Sequence, residues 1–208
     1  MSAFKSTASR LRGFALAALA LGMVAPAEAV FIFAPLDNPR KVTLRVGSAN
    51  ATINDVTFTV TGANVAPNPM PVTGIPGGGA PSTSPAGGVE IEVTNQMPAS
   101  TGINTMTLTV DSSVGLPCVA GSGCGVTAIP FTSIGWTSYN LDPSGGDIQD
   151  GVFDGSATQL LVTYNVNTNM PSAQSVSMKN VLVFRYDNAT LYPSGQYSGR
   201  VRYTATNL

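Results

Sequence analysis

The sequence predicts an all-β protein, an antiparallel β-sandwich. Apolar and polar residues alternate with a period of two along most of the chain, which is typical of strands with one buried and one wet face. Clusters of Gly, Pro, Asn and Ser separate these runs, and no window beyond the first 29 residues has helical spacing. Only 10% of the residues are charged, against about a quarter in an average protein. Threonine and other small polar residues supply the wet faces, which suits an extracellular β-protein.

Eight strands follow from these patterns. Four have clean alternation and lie at 42–46, 56–60, 89–93 and 106–110. Four are less regular and lie at 126–134, 158–166, 176–186 and 197–205. Pro130 interrupts the first of the irregular runs, which indicates an edge position or a bulge. The apolar stretch 181–184 is predicted to be buried on both faces of its sheet.

Prolines and glycines are concentrated at 66–88, including Gly77, Gly78 and Gly79. A long surface loop and an interdomain linker both fit this composition. The loop is favoured, because the segment ahead of it is short for an independent core. The predicted organisation is therefore a leader at 1–29, an N-terminal extension at 30–50 and one β-sandwich domain at 51–208.

The first 29 residues have the three parts of a secretory signal peptide. Lys5, Arg10 and Arg12 form a positive region, 13–24 is apolar, and Ala27-Glu28-Ala29 is a small-x-small cleavage site. The apolar run is shorter than the roughly 20 residues that span a bilayer, so an uncleaved membrane helix is the weaker interpretation. We therefore expect export and a protein that works outside the cytoplasm.

Composition also excludes several kinds of site. The chain has no histidine, which removes Ser-His-Asp and Cys-His nucleophilic sites and the imidazole ligands of most zinc sites. The formal net charge of −1 predicts no basic surface for nucleic acid. Cys118 and Cys124 are expected to form a disulfide in an exported protein. Closing so small a loop stabilises the fold by about 2 kcal/mol.

Four carboxylates, Asp142, Asp147, Asp150 and Asp154, lie in one glycine-containing stretch. They could collect around calcium, but their spacing differs from that of an EF-hand loop. They could also supply the acid and base of a glycosidase. Aspartate favours turns through bonds to nearby backbone, and a turn-rich connection is the preferred interpretation. We expect neither a metal nor another cofactor, and no catalytic residue.

Trp136 is the single tryptophan, and Tyr139 is close to it in sequence. The pair could form a platform for a sugar ring, although packing in the sandwich core is the favoured role for Trp136. Glu90 and Glu92 share one face of a strand, which is more typical of a solvated face than of a catalytic pair.

Both ends of the mature chain have strand character. Val30, Phe31, Ile32 and Phe33 are continuously apolar, and Val42, Leu44 and Val46 alternate with polar residues shortly after them. The chain closes with Tyr197, Val201, Tyr203 and Ala205 in a second alternating run. These segments could be ordinary strands of a sandwich, or one of them could be donated to the sheet of another subunit.

The signal peptide, the apolar segment after it and the closing Gly195-Gln-Tyr197-Ser-Gly199-Arg-Val201-Arg-Tyr203-Thr-Ala205 resemble subunits of chaperone–usher pili. The likeness is strongest to the archaic branch and its spore-coat-protein-U-like relatives. It implies an immunoglobulin-like sandwich that lacks its last strand, which a periplasmic chaperone fills first and the next subunit's N-terminal segment fills at the outer-membrane usher. Two features depart from this family: the disulfide spans only a short loop, and Asn207 stands where many such subunits have tyrosine.

The resemblance implies donor-strand candidates at Val30, Phe31, Ile32 and Phe33 or at Val42, Leu44 and Val46. It implies an acceptor groove bordered by Tyr197, Val201, Tyr203 and Ala205. We therefore expect the structural subunit of a homopolymeric fimbria or surface filament, with a role in adhesion to a host or abiotic surface or in biofilm. The alternative is a monomeric, secreted carbohydrate-binding module. A secreted Asp-dependent glycosidase ranks below both.

Overall fold

The computed structural model describes residues 41–47, 55–65, 68–77, 82–97, 103–141, 146–167 and 174–207. Within these ranges the chain consists mainly of strands and the irregular connections between them. One single-turn α-helix, α1, spans Gly62–Val65, and a 3-10 helix spans Phe131–Ser133.

The strands differ widely in length. The long ones have six to thirteen residues and are β1 (Lys41–Val46), β5 (Val89–Met97), β6 (Ile103–Asp111), β9 (Ile134–Tyr139), β11 (Gln159–Asn167), β12 (Gln174–Tyr186) and β13 (Arg202–Asn207). The short ones have two residues each and are β2 (Val56–Thr57), β3 (Val72–Thr73), β4 (Ile75–Pro76), β7 (Leu116–Pro117), β8 (Ala128–Ile129) and β10 (Gly151–Val152).

Two antiparallel sheets form the sandwich. The larger has the order β1-β5-β12-β9-β10, with β3 pairing to the far end of β12, and the smaller has the order β11-β6-β13. Two short ribbons, β2-β4 and β7-β8, lie outside these sheets. The predicted fold class, an all-β antiparallel sandwich, is confirmed.

The core follows directly from the period-two pattern. Met106, Leu108 and Val110 of β6 are almost completely buried, whereas the threonines between them are partly exposed on the other face. Ile91 and Val93 of β5 have no exposed surface. Each such side chain contributes about 1.5–3 kcal/mol when it is fully removed from water. Aromatic rings fill the β9–β10 end of the core, where Phe153 contacts three rings (those of Phe131, Trp136 and Phe184).

The strand predictions hold for the regular patterns at 42–46, 89–93 and 106–110 and for 158–166 and 176–186, with ends shifted by a few residues. Val181 and Leu182 are buried, as expected for the apolar stretch of β12, whereas Val183 is half-buried.

Four predictions are corrected. The run 56–60 is a strand only at Val56–Thr57, because its pairing with β4 involves only these two residues. The run 126–134 divides at Pro130, which lacks an N–H and begins the 3-10 turn. The closing strand starts at Arg202 rather than Tyr197. The segment 66–88 contains β3 and β4 in its described part and is not wholly loop.

Candidate functional site

Two strand edges lie next to each other along one side of the sandwich. β1 is the last strand of the larger sheet, β13 is the last strand of the smaller one, and Cα atoms of the two strands approach within 8 Å. β1 bonds to β5 and β13 bonds to β6. Over the described residues, no strand pairs with the outer edge of either. We call this gap, lined by Val42, Leu44 and Val46 of β1 and by Tyr203, Ala205 and Asn207 of β13, the open seam.

The seam is apolar over most of its length. Val42, Leu44 and Val46 stand opposite the buried residues Asn95, Val93 and Ile91 of β5, so they point between the sheets. These three, together with Tyr203 and Ala205, pack against the core yet remain partly exposed. Although Tyr203 keeps some exposed surface, burial of its hydroxyl raises the pKa of that group well above the usual value. Inward-facing apolar side chains that keep contact with water mark an incompletely covered core.

One end of the seam is polar. Asn207 at the end of β13 donates from Nδ2 to Oδ1 of Asn95, at 3.1 Å, across the two sheets. Asn95 has no exposed surface. Its Nδ2 and the buried Oδ1 of Asn207 both lack a hydrogen-bond partner among the residues that the structure describes. Because Asn95 pairs with Val42, this end is where β1 begins and β13 ends. We call Asn95 and Asn207 the amide pair.

The opposite side of the sandwich is covered by the chain itself. β10 leads through residues 153–158 directly into β11 of the other sheet. The Gln159 side chain donates from Nε2 to the carbonyl of Val152 at 2.7 Å and accepts from the N–H of Asp154 at 3.0 Å. Local chain connection and side-chain bonds therefore cross the sandwich at this side.

The segment before β13 is held by the disulfide turn. Cys118 and Cys124 are bonded, with an S–S distance of 2.02 Å. Val119 donates its N–H to the carbonyl of Gln196, and Tyr197 forms a backbone bridge with Cys118. A Cβ on Gly195 would lie 2.6 Å from the Cys124 sulfur, so only glycine fits there. The disulfide thus braces the approach to the last strand.

The predicted acceptor residues separate into two groups. Tyr203 and Ala205 line the open seam on β13, and Val201 packs against the core just before that strand. Tyr197 lies on the disulfide turn and donates its hydroxyl to the carbonyl of Pro193. Of the predicted donors, Val30, Phe31, Ile32 and Phe33 lie outside the described residues. Val42, Leu44 and Val46 form β1, paired within their own chain.

Trp136 is a core residue, as favoured from sequence. Only 7% of its surface is exposed, and its indole Nε1 donates to the carbonyl of Gln149 at 2.8 Å. Tyr139 is exposed, but no accessible indole lies beside it to form a sugar platform.

The acidic segment is organised by bonds to its own surroundings. Asp147 is buried and accepts from Gln149 and from Asn180, whose Nδ2 is 2.9 Å from Oδ2. Asp150 accepts from the N–H of Ser138, and Asp154 from the N–H of Ser156, each at 2.7 Å. Asp142 lies outside the described residues. Within the described ranges no three His, Cys, Asp or Glu residues group as metal ligands.

Glu90 and Glu92 lie on the outer face of the larger sheet. Arg45 of β1 forms an ion pair with both carboxylates, and Lys179 of β12 pairs with Glu90 at 2.8 Å. These pairs tie β1 to its neighbours in register, which fits the solvated-face interpretation. In the part of the chain that the structure describes, no helix has the length and apolar character needed to cross a bilayer.

The amide pair is the feature that sequence reasoning missed. The alternation Val89, Ile91, Val93 continues to residue 95, so an inward-facing asparagine could have been noticed in β5. Comparison with protein-family models, with curated proteins and with solved structures found no match to this chain.

Proposed function

We propose that this protein is the structural subunit of an extracellular filament whose members join by donor-strand exchange. The observation that carries the proposal is the open seam, where two strand edges that pair with no other described strand flank apolar, incompletely covered side chains. An extended segment in this gap would have backbone partners on both sides and an apolar surface beneath it. β-Strand addition uses this combination of main-chain bonds and side-chain pockets.

The N-terminal segment is the better of the two predicted donors. β1 already pairs with β5 over six residues, and Arg45 anchors it to Glu90 and Glu92. Donating β1 to a neighbour would break those bonds and uncover Ile91 and Val93. The apolar segment 30–33 precedes β1 in sequence, so donating it would not require any of the bonds between β1 and β5 to break. Three inward side chains of such a donor would contribute roughly 1.5–3 kcal/mol each.

The width of the seam explains why an assembly factor would be needed. A strand inserted between β1 and β13 requires about 10 Å between them, which is two strand spacings. Their closest Cα atoms are within 8 Å, so the edges must separate before a donor can enter. The periplasmic chaperone that the sequence resemblance implies would hold the seam open, and the outer-membrane usher would place the next subunit's segment in it. A role in adhesion or biofilm is part of the same proposal.

The test is a deletion that removes the donor and keeps the sandwich. Residues 30–40 are deleted behind an intact signal peptide, and secreted material is run on SDS gels with and without boiling. We expect the full chain to give heat-labile ladders and the deletion to give monomer alone. A control that replaces Lys41 with Gln, outside the donor, should keep the ladder. Ladders that persist in the deletion would overturn the proposal.

A second variant tests the acceptor. Ala205→Phe places an aromatic ring at the centre of the seam, where a donor side chain would lie. We expect loss of the ladder with retained folding by circular dichroism, whereas Thr204→Val on the other face of β13 should assemble normally. Equal assembly by both variants would show that the seam is not the contact.

A further inference from the structure

The amide pair carries a further inference, which rests on the proposed function. Two buried polar atoms, Nδ2 of Asn95 and Oδ1 of Asn207, have no hydrogen-bond partner among the described residues of the lone subunit. Whichever way the two amides are turned, a single bond between them leaves one free donor and one free acceptor. Buried polar groups of this kind are normally satisfied, and each one left unsatisfied costs about 1–3 kcal/mol. The open seam therefore has an apolar lining over most of its length and two unsatisfied polar atoms at one end.

The direction in which subunits follow one another along a filament decides which end of a donor strand reaches the amide pair. β1 begins at the amide end. A donated extension 30–40, which is joined to the first residue of β1, would therefore start from that end of its own subunit. Suppose that the residues of the extension nearest β1 also lay at the amide end of the acceptor. The amide ends of the two subunits would then face each other, and the contact would close as a dimer. An open filament needs the opposite direction, so residue 30 leads and reaches the amide pair of the neighbour.

Side-chain size selects the same register. β13 presents Tyr203, Ala205 and Asn207 inward in turn, as large, small and polar positions. A donor antiparallel to β13 with Val30 beside Asn207 places Ile32 at Ala205 and Ala34 at Tyr203. In each pair a large side chain then faces a small one: Ile32 faces Ala205, and Tyr203 faces Ala34. A one-residue slip would instead turn Phe31 and Phe33 inward. In the preferred register Pro35, which lacks an N–H, falls at the entrance of the seam, where strand pairing ends.

We propose that Asn95 and Asn207 bind the leading end of the donor strand and so fix its register. The occupant is the N-terminus of a second copy, exposed by cleavage after Ala29. Its ammonium group donates to Oδ1 of Asn207, and the carbonyl of Val30 accepts from Nδ2 of Asn95. Uncleaved chains, or chains with residues ahead of Val30, lack the ammonium group at this position.

The test uses the full-length chain expressed with its signal peptide, and the ladders are taken from the secreted material. Five proteins are compared: the unmodified chain, a chain with Gly-Ser between Ala29 and Val30, Asn207→Leu, the combination of these two changes, and the control Thr206→Val. The measurement is the dissociation rate of SDS-resistant ladders at one temperature. We expect the extension and Asn207→Leu each to speed dissociation ten- to a hundredfold, which corresponds to loss of a charge-assisted hydrogen bond. The combination should be no faster than Asn207→Leu alone, and Thr206→Val should match the unmodified chain.

Additive effects of the two changes, or no effect of either, would overturn the role of the amide pair while leaving the filament intact. Absence of ladders from the unmodified chain would overturn the filament proposal and this inference with it. A separate set of substitutions tests the register by exchanging the sizes of an acceptor side chain and the donor side chain that faces it. Ala205→Leu should abolish ladders, Ile32→Ala in the same chain should restore them, and Phe31→Ala should not. Rescue by Phe31→Ala instead would place the other donor face inward.

Discussion

Replacing Asn180 with leucine should remove several kcal/mol of folding stability, because this side chain fastens the acidic segment to the larger sheet. Asn180 has no exposed surface. Its Oδ1 accepts from the N–H of Ile148 at 3.2 Å, and its Nδ2 donates to Asp147 at 2.9 Å. Leucine has nearly the same volume but neither hydrogen-bonding atom. The change therefore isolates the polar contribution from packing.

The magnitude follows from the two hydrogen bonds, to Ile148 and to Asp147, that leucine cannot make. A buried N–H without an acceptor costs about 1–3 kcal/mol, and a hydrogen bond to a carboxylate is worth about 1.5–3 kcal/mol. The free energy of unfolding should fall by about 3–5 kcal/mol, a large part of the 5–15 kcal/mol typical of a domain. Urea unfolding monitored by the fluorescence of the single tryptophan measures it, since Trp136 bonds to the adjacent Gln149.

The matched control is Asn165→Leu, the same substitution at an exposed position of β11. Asn165 accepts one exposed hydrogen bond from Thr105, so its loss should change the unfolding free energy by less than about 1 kcal/mol. A decrease below 1 kcal/mol for Asn180→Leu as well would refute the reasoning, because it would mean that water or rearranged backbone satisfies the abandoned groups.

Three further predictions concern the approach to the last strand and the alkaline limit of the fold. Gly199→Ala should lower the unfolding free energy by about 1–3 kcal/mol, because its Cβ would overlap backbone of the β6–β7 turn, whereas Gly62→Ala, in open space, should be neutral when both are compared by urea unfolding. Joint replacement of Cys118 and Cys124 by serine should cost about 2 kcal/mol in the same assay, and an unchanged midpoint would contradict the bracing role. Burial, aided by nearby acidic groups, raises the pKa of Tyr186 from 10.0 to about 12, so the folded state holds this proton more tightly than the unfolded state. The contribution of this tyrosine to the free energy of unfolding should be fully present below pH 10 and should fall between pH 10 and 12 by up to about 1.4 kcal/mol per pH unit. A series of thermal melts at increasing pH should show a smaller fall for Tyr186→Phe.

Sequence reasoning predicted the sandwich well because its strongest signal is local. Ile91 and Val93, or Met106 and Leu108, alternate with polar residues, and that alternation alone fixes a face and a strand. Sequence reasoning failed where contacts between distant segments decide how far a strand extends. The pattern around Phe58 continues through residue 60, but pairing with β4 involves only Val56 and Thr57.

The seam could be anticipated only in part. The apolar lining of β1 and β13 is visible as alternation, so Val42, Leu44, Tyr203 and Ala205 were predicted to matter. Which edges stay unpaired depends on strand order, and strand order depends on contacts far apart in the chain. Tyr197 shows the same limit, since its backbone pairs with Cys118 rather than with the edge of the smaller sheet.

The amide pair connects the stability of a lone subunit with its assembly. Asn95 is fully buried beside Val93, at a position where an apolar side chain would stabilise the isolated sandwich. Its unpaired Nδ2, with the unpaired Oδ1 of Asn207, costs the empty subunit about 1–3 kcal/mol for each atom. A donor strand that satisfies both atoms recovers that free energy only in the correct register. The same two side chains therefore weaken the monomer, favour the filled state and penalise misaligned strands, so replacing both with leucine should stabilise the monomer while loosening the polymer.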